Sequence, residues 1–351
     1  MRRRVLKACI ILFAAAALLF AAWLYREYRR PRTLASAPVI FEVEKGKSLR
    51  AIARDLKARG ILQGSLLPFL AGYELFHPSQ KIKAGEYAFP SPQSARQVLE
   101  TLIKGRVYLH PVTVPEGLTG PEVFEIVRPL SSEDRDHFLS AFRETGPVSA
   151  WDGKAENLEG YLFPETYHFP KGVSAHDIIQ AMVDQFKAVF DGGMQARGRE
   201  IGMGMRDVVI LASLIEKETS LPEEKRLVSA VFHNRLKLGM KLDCDPTIIY
   251  GLKLEGGYDG RLRTHDLTRD SPYNTYLHAG LPPGPICNPG RESLEAALHP
   301  APENYLYFVS KNDGSHHFSR TFAEHQMAVR AFQKNKLRIP PKSQKPRGNI
   351  S

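Results

Sequence analysis

The chain has 351 residues, a formal net charge of +10 and three cysteines. This length is enough for two or three folded modules with a substantial hydrophobic core. Cys9, Cys244 and Cys287 have no metal-ligand spacing, and at most one disulfide, between Cys244 and Cys287, is expected. The positive charge favours an anionic partner such as a membrane surface or a wall polymer. No nucleic-acid-binding motif is present, so we expect no nucleic acid partner.

The N-terminus predicts a membrane anchor. A short basic tail, residues 1–7, precedes an apolar segment, residues 8–25, that has no charged residue. This segment is just long enough to span a bilayer and longer than the apolar region of most signal peptides. We therefore expect an uncleaved transmembrane helix in the inner membrane, with a cleaved signal peptide as the alternative. If residues 1–7 stay in the cytoplasm, the rest of the chain lies in the periplasm.

A basic, proline-containing linker is expected over residues 26–38, and a small α/β module over residues 39–110. Alternating apolar residues predict a strand over 39–43, and Ser48 is the expected N-cap of a helix that ends near Gly60. The module is completed by a helix over 66–75, a strand over 86–89 and a helix over 95–103. A weaker copy of the strand-turn-helix pattern occupies residues 112–127, where Thr119 and Glu122 have the capping-box spacing.

Residues 111–334 predict a larger mixed α+β module, and residues 335–351 form a basic tail that we expect to be disordered. Alternating aromatic residues over 157–170 favour a core strand over a sugar-stacking wall. Further helices are expected over 175–190, from about 223, and over 293–298. A Gly-rich loop is expected over 192–204, a turn at 245–246 and an irregular loop over 271–290. The remaining strands are a strand-like segment over 240–242 and a pair at 305–309 and 316–318.

The strongest signal for chemistry is the stretch 208–220, an aliphatic run that ends in Glu216, Lys217 and Glu218. On a helix, Glu218 lies on the stripe with the most large aliphatic side chains, whereas Glu216 lies on the other side. A carboxyl group on an apolar stripe is typical of an acid that keeps its proton near neutral pH. The alternative is a core helix whose last turn simply reaches solvent.

The remaining motifs narrow the chemistry. No metalloprotease, phosphate-loop, dinucleotide-binding or serine-hydrolase motif occurs. His316 and His317 would face opposite sides of a strand, so they cannot share a metal, and we interpret both as structural. Neither of the two later cysteines lies near an expected helix start, which disfavours cysteine catalysis.

A carboxylic acid, aromatic surfaces and a rigid loop suit glycosidic bond cleavage. Glu216 and Glu218 point apart, which leaves a distant second acid or a mechanism with one acid.

The segments LASLIEKETS, SPYNTYLHAGLPPGPICNPG, YLYFV and GSHHF occur in the order found in the MltG/YceG family of membrane-anchored endolytic murein transglycosylases. The chain resembles this family over about residues 40–330. The resemblance implies a LysM-like subdomain over 39–110 and a mixed α+β catalytic domain over 111–334. It also implies a lyase that cuts the MurNAc–GlcNAc β-1,4 bond within peptidoglycan glycan strands and leaves 1,6-anhydro-MurNAc ends. Nascent strands, whose elongation it would limit, are the expected substrate, and peptidoglycan synthases (penicillin-binding proteins) are candidate partners.

The resemblance also implies roles for individual residues, and it implies no metal or cofactor. Glu218 matches the family's catalytic glutamate, the second Glu of EKET, and would act first as acid and then as base. The expected supporting or substrate-binding residues are Glu216, Asn274, Tyr276, Tyr273 and Asn234. For those in the 271–290 loop, the alternative is a loop held together by its own hydrogen bonds. A hydrolytic muramidase and a non-catalytic peptidoglycan-binding or scaffold protein remain as alternative functions.

Overall fold

The computed structural model describes residues 2–333, so the predicted basic tail, residues 335–351, lies outside the described residues. Helices and short two-stranded sheets make up a mixed α+β architecture, as predicted. The chain divides into two compact units. The first contains the described residues up to 111 together with 168–173, and the second contains 112–167 and the described residues from 174 onward.

The first unit begins with a long helix, α1 (Arg2–Arg29), which is long and apolar enough to cross a membrane, with a mean hydropathy of 2.5 in its most apolar window. By length and composition alone, an N-terminal signal sequence would meet the same criterion. The helix continues into the segment that was predicted as a linker. Its last turn buries Tyr28 against Gly72, where a Cβ atom would lie 2.3 Å from the Tyr28 ring.

The rest of the first unit agrees with the predicted strand and helix order. The elements that follow α1 are β1 (Val39–Val43), α2 (Leu49–Ala58), α3 (Leu67–Phe76), β2 (Gly85–Phe89) and α4 (Ala95–Lys104). Strands β1 and β2 pair antiparallel, with Phe41 opposite Tyr87. Ser48 caps α2 as predicted, because its side chain accepts a hydrogen bond from the backbone N–H of Ala51 at 3.3 Å.

The second unit is mainly helical. Its helices are α5 (Gly120–Val127), α6 (Arg135–Phe142), α7 (Ala175–Val189), α8 (Gly192–Glu200), α9 (Met205–Glu218), α10 (Pro222–Lys237), α11 (Asp245–Leu254), α12 (Arg291–Leu298) and α13 (Phe322–Phe332). Strands β3 (Leu109–Thr113) and β4 (Thr166–Pro170), which pair with each other, each have residues in both units, and β5 (Tyr307–Ser310) and β6 (His316–Ser319) belong to the second. As predicted, β5 and β6 form an antiparallel pair, and Val309 lies opposite His317.

Helix α9 lies in the centre of the second unit. Its residues 208–215 are all buried, because α8, α10, α11 and α12 pack around it. A single apolar stripe therefore does not exist on this helix, and helical periodicity alone does not separate Glu218 from Glu216. Both glutamates lie in the last turn of α9, where the helix leaves the core, and their surroundings depend on the neighbouring elements.

Three segments of the second unit differ from the sequence expectations. The expected Gly-rich loop at 192–204 is largely helix α8, which starts because the Asp191 side chain accepts the backbone N–H of Met194 at 3.0 Å. The segment 240–242 is irregular rather than a strand. The expected turn at 245–246 is the first turn of α11, because Pro246 occupies a position where a helix needs no N–H donor.

The aromatic segment 157–170 forms a strand only in its last residues, β4, while the part before it is an irregular loop. Its aromatic side chains are buried, which agrees with the core interpretation and not with a sugar-stacking wall. Gly160 lets this loop pack closely: its φ is +86°, and a Cβ atom there would lie 2.7 Å from the side chains of Pro285 and Val209. The loop is thus fixed directly against α9.

Candidate active site

Glu218 is the last residue of α9 and lies where this buried helix reaches the surface. Its side chain keeps some solvent exposure, yet protein surrounds the carboxyl group closely enough that burial raises its pKa to about 7. The charge of Asp245 acts in the same direction. A hydrogen bond from Cys244 and the charges of His316 and Arg235 act against it. Glu218 can therefore hold or release a proton near neutral pH.

Cys244 is the N-cap residue of α11, so the expectation that it lies far from a helix start is wrong. Its backbone N–H donates to the Thr275 hydroxyl at 3.0 Å, and its thiol donates to the carboxylate of Glu218. Burial and the charge of Glu218 raise the pKa of this thiol well above its usual value. Cys244 and Cys287 are both buried free thiols, so the disulfide that the sequence allowed does not form. Cys244 is a neutral donor to the acid.

Tyr276 is one of the predicted site residues that the fold brings to the surroundings of Glu218. Its hydroxyl donates to Asp245 Oδ1 at 2.7 Å, and Asp245 is the first residue of α11. Burial, followed by this hydrogen bond, raises the pKa of Tyr276, and the charge of Glu218 contributes to the same rise. Tyr276, Asp245 and Glu218 are therefore electrostatically linked at the start of α11.

The charge of His316 acts on Glu218, and the contacts of this residue tie its strand to the end of α9. Its ring nitrogen Nδ1 lies 2.7 Å from Glu224 Oε2, and its backbone N–H donates to Glu224 Oε1 at 2.8 Å. The hydroxyl of Thr219, the residue directly after Glu218, donates to Glu224 Oε2 at 3.4 Å. Buried Glu224 thus connects the end of α9 to β6. His317 is exposed and lies on the opposite face of β6, as the alternation of a strand predicts.

Glu216 has a different set of partners. Both of its oxygens lie 3.4 Å from the ammonium of Lys225, whose side chain is only 4% exposed, and Oε2 accepts the backbone N–H of Gly290 at 3.0 Å. Lys225 also lies 3.6 Å from Glu116 and 3.8 Å from Glu292. Burial, and then the charge of Glu216, raise the pKa of Glu116. Glu216 and Lys225 therefore form a buried ion pair that holds the start of α12, with Glu116 and Glu292 at its exposed edge.

Asn274 is buried and serves its own loop. Its amide Nδ2 donates to the carbonyls of Leu267 and Arg269 at 3.1 and 2.8 Å, and its Oδ1 accepts the backbone N–H of Tyr276 at 2.9 Å. This is the loop-stabilising alternative that the sequence left open for this position. Through its bond to the Tyr276 backbone, Asn274 positions a residue of the site.

The other two predicted supporting residues, Tyr273 and Asn234, make contacts that do not include Glu218. The ring of Tyr273 packs against that of Tyr250, with 4.9 Å between centroids. Asn234 donates to the carbonyls of Glu303 and Tyr305 at 2.8 and 3.0 Å and so fixes the segment before β5. Both contacts are structural.

A second buried carboxyl group, Glu159, also has a strongly raised pKa, about 8, mainly because it is fully buried. It accepts hydrogen bonds from the backbone of Gly120 at 3.1 Å, from Asn288 Nδ2 at 3.2 Å and from the Tyr250 hydroxyl at 3.3 Å. Through these hydrogen bonds, Glu159 joins the start of α5 to the loops around α9. A raised pKa in this protein therefore marks a structural acid as well as the candidate catalytic one.

Among residues 2–333, no cluster of three His, Cys, Asp or Glu side chains could hold a metal ion.

Residues 41–331 match the YceG-like family, which is most of the chain. The chain belongs to the YceG-like family. It is 30% identical over 314 residues to the endolytic murein transglycosylase of Bacillus subtilis strain 168, a match that covers 85% of this chain and 86% of that protein. The endolytic murein transglycosylase of Streptococcus pneumoniae is 26% identical over 332 residues, and the match covers 84% of this chain and 58% of that longer protein.

A solved structure supports the same family assignment. The crystal structure of a putative YceG-like protein of Listeria monocytogenes matches with a TM-score of 0.57 and 29% identity, covering 83% of this chain and 98% of that one. The family resemblance predicted from the EKET and YNTY segments is thus confirmed, and so is the mixed α+β fold. YceG-like relatives named as murein transglycosylases place this chain within a family of wall-cleaving enzymes.

Proposed function

We propose that this protein is an endolytic lytic transglycosylase, a lyase that cleaves the MurNAc–GlcNAc β-1,4 bond within peptidoglycan glycan strands and leaves 1,6-anhydro-MurNAc ends. The observation that carries the proposal is Glu218, whose carboxyl group at the end of α9 has a pKa of about 7. Near neutral pH such a group is present in both protonated and charged forms. The same residue is the second Glu of the EKET motif, and relatives of the chain are named endolytic murein transglycosylases.

One acid is sufficient for this reaction. Protonated Glu218 donates its proton to the glycosidic oxygen, and the bond from that oxygen to C1 of MurNAc breaks. The C6 hydroxyl of the same MurNAc then attacks C1, and its proton passes to the Glu218 carboxylate. The proton lost in the first step is recovered in the second, no water is consumed, and the product closes its own 1,6-anhydro ring. The N-acetyl group can assist at C1, a role that a second carboxylate fills in hydrolases.

The neighbours of Glu218 suit both halves of this cycle. Burial favours the protonated acid before bond cleavage. After the proton has left, the thiol of Cys244 donates to the carboxylate, and the charges of His316 and Arg235 also favour its charged form. Opposing influences of this kind hold the pKa close to the working pH, where one group can serve as acid and as base.

Hydrolysis of the same bond by a muramidase is the second candidate. The observation that favours it is Asp245, a carboxyl group close enough to Glu218 for its charge to affect the pKa of the acid, and held by the hydroxyl of Tyr276. A second carboxylate at this place could activate a water molecule. The two reactions differ in their product, because hydrolysis gives a reducing MurNAc end and the lyase reaction does not.

We also propose that α1 anchors the protein in the inner membrane, with the N-terminus in the cytoplasm and the described residues that follow α1 in the periplasm. In this arrangement residues 39–110 form a LysM-like subdomain that helps to bind glycan, and peptidoglycan synthases are candidate partners during strand elongation. Mature protein that keeps its first residues and fractionates with the inner membrane would support the anchor. A chain that begins near residue 18 or 23 would show a cleaved signal instead.

Mass spectrometry of the products tests the proposed activity. The full chain, purified in detergent, is incubated with purified glycan strands, and Glu218→Gln protein serves as the control. The expected products end in 1,6-anhydro-MurNAc and arise from cuts within strands. Reducing MurNAc ends would establish the muramidase reaction, and folded protein that releases nothing from any strand would indicate a binding or scaffold role.

A further inference from the structure

A cavity of about 250 Å³ lies in the second unit, between the end of α9 and the start of α11. Its lining combines apolar and aromatic side chains with two lysines, and the residues that matter here are Lys217, Pro246, Ile249, Tyr250, Lys253 and Tyr258. Small-molecule sites commonly have such a mainly apolar wall with a few polar groups that fix orientation. A lysine ammonium in such a wall makes an anionic or acceptor-rich ligand the best match.

Lys217 is the cation available to such a ligand. Its ammonium donates to the backbone carbonyl of Gly117 at 3.1 Å, and no carboxylate within residues 2–333 forms an ion pair with it. Lys253, in contrast, is paired with Glu122 at 2.7 Å. Gly117 has a φ of +78°, and a Cβ atom there would touch the Lys217 side chain at 3.7 Å. The turn at Gly117 thus holds Lys217 in place without neutralising its charge.

Two residues that line the cavity are direct chain neighbours of the candidate acid and of a carboxylate that acts on it. Lys217 directly precedes Glu218, and consecutive Cα atoms are about 3.8 Å apart. Pro246, another lining residue, directly follows Asp245, whose charge acts on Glu218. A substrate whose scissile bond lies at Glu218 would therefore place a neighbouring substituent within reach of this cavity.

We propose that the cavity binds a carboxylate of the peptide stem carried by the MurNAc residue of the substrate, with Lys217 as the cationic contact. This inference rests on the proposed function. The sugar rings of a glycan strand are uncharged, so the stems carry the anionic groups that an enzyme meets when it cuts within a strand. The stems occur only on MurNAc, whereas both kinds of sugar are joined by β-1,4 bonds. Binding a stem carboxylate would therefore determine which of the two alternating bonds reaches Glu218.

The test pairs a change in the enzyme with a change in the substrate. Lys217→Gln and the full parent chain are compared on native strands and on the same strands after their stem carboxylates are coupled to methylamine, which removes the charge and keeps the glycan intact. Lys237→Gln, a change at an exposed lysine of α10 outside the cavity, is the matched control.

On native strands, Lys217→Gln should raise KM about fivefold or more and leave kcat nearly unchanged. The reason is that the lost charge-assisted contact is equally strong in the bound substrate and in the transition state. On methylamide strands, the two proteins should have the same KM, and Lys237→Gln should match the parent on both substrates. An equal effect of Lys217→Gln on charged and neutral strands, or no effect on either, would overturn the proposal.

Binding is measured separately, by co-sedimentation with native and methylamide strands. The two proteins compared are the Glu218→Gln single variant and the double variant that also carries Lys217→Gln. This binding measurement separates the two proposals. Charge-dependent binding without turnover in the parent would contradict the proposed activity and support the stem site. Turnover with charge-independent binding would support the proposed activity and contradict the stem site.

Discussion

Glu218→Gln should abolish turnover and, at the same time, stabilise the protein at alkaline pH. The amide keeps the size and most hydrogen bonds of the carboxyl group but has no proton to transfer. General acid–base catalysis contributes about 10²–10⁴-fold to rate. Because one group serves both proton transfers here, we expect a loss at or above the upper end of this range.

The effect on stability follows from the raised pKa of Glu218. In the folded protein this pKa is about 7, compared with 4.5 for an ordinary glutamate, so the folded state binds the proton more tightly than the unfolded chain. Stability is therefore lost as the pH rises from about 4.5 through about 7. Each unit of pKa corresponds to about 1.4 kcal/mol, which would give about 3 kcal/mol in full. Partial exposure of the side chain reduces our expectation to about 2 kcal/mol. Glutamine does not ionise, so the variant should gain this amount at pH 8 and almost nothing at pH 4.

Glu216→Gln is the matched control, two residues away on the same helix. It removes one charged partner from Lys225, which is buried, but Glu116 and Glu292 remain at 3.6 and 3.8 Å. Loss of a whole buried ion pair costs about 3–5 kcal/mol, so with two partners left we expect about 2 kcal/mol of destabilisation. Turnover should stay within about tenfold of the parent because this carboxylate transfers no proton. The two substitutions should thus shift stability in opposite directions at pH 8.

Release of anhydro-muropeptides measures activity, and urea unfolding at pH 4 and pH 8 measures stability. A folded Glu216→Gln protein without activity, together with an active Glu218→Gln protein, would show that the acid is assigned to the wrong carboxylate. If Glu218→Gln is inactive but its stability relative to the parent is the same at both pH values, burial does not raise the pKa of Glu218 as described.

Three further outcomes test the site and its support. The kcat/KM of the parent should fall about tenfold per pH unit above about pH 7, because the reaction needs protonated Glu218; a rate that stays constant to pH 9 would contradict this. His316→Gln should move this alkaline limit upward, because the positive charge of His316 lowers the pKa of Glu218. His317→Gln, on the other face of β6, should leave the limit in place, and equal shifts would indicate a general effect on the strand. Gly160→Ala should cost about 2 kcal/mol more in urea unfolding than Gly172→Ala, because both have positive φ but only Gly160 is tightly packed; equal costs would mean that packing at Gly160 is loose.

Much of the fold could be predicted from local sequence signals. Ser48 caps α2, and the backbone N–H of Thr119 donates to the Glu122 side chain at 2.9 Å, both as the spacing of these residues predicts. Capping bonds and strand alternation involve residues only a few positions apart, so the sequence is sufficient to predict them. Local signals failed where they conflicted: glycines in 192–204 indicated a loop, while the cap at Asp191 starts a helix there.

The site depended on contacts that no local pattern contains. The sequence identified Glu218 as the candidate acid, through its motif and its position at the end of an aliphatic run, but not the groups that act on it. Cys244 and His316 lie far from it in the chain, and α10 and β6 have to fold together before Glu224 can join His316 to the end of α9.

The helical-face argument separated the two glutamates for a reason that the fold does not support, because residues 208–215 of α9 are buried on every side. What distinguishes them is their partners. Glu216 is paired with Lys225, whereas Glu218 forms no direct ion pair with any of residues 2–333 and accepts a hydrogen bond from a neutral thiol. The sequence determined which residue types are present and where the helix ends. The tertiary structure decided which carboxyl group keeps its proton, because desolvation and charge act through distance in space and not through position in the chain.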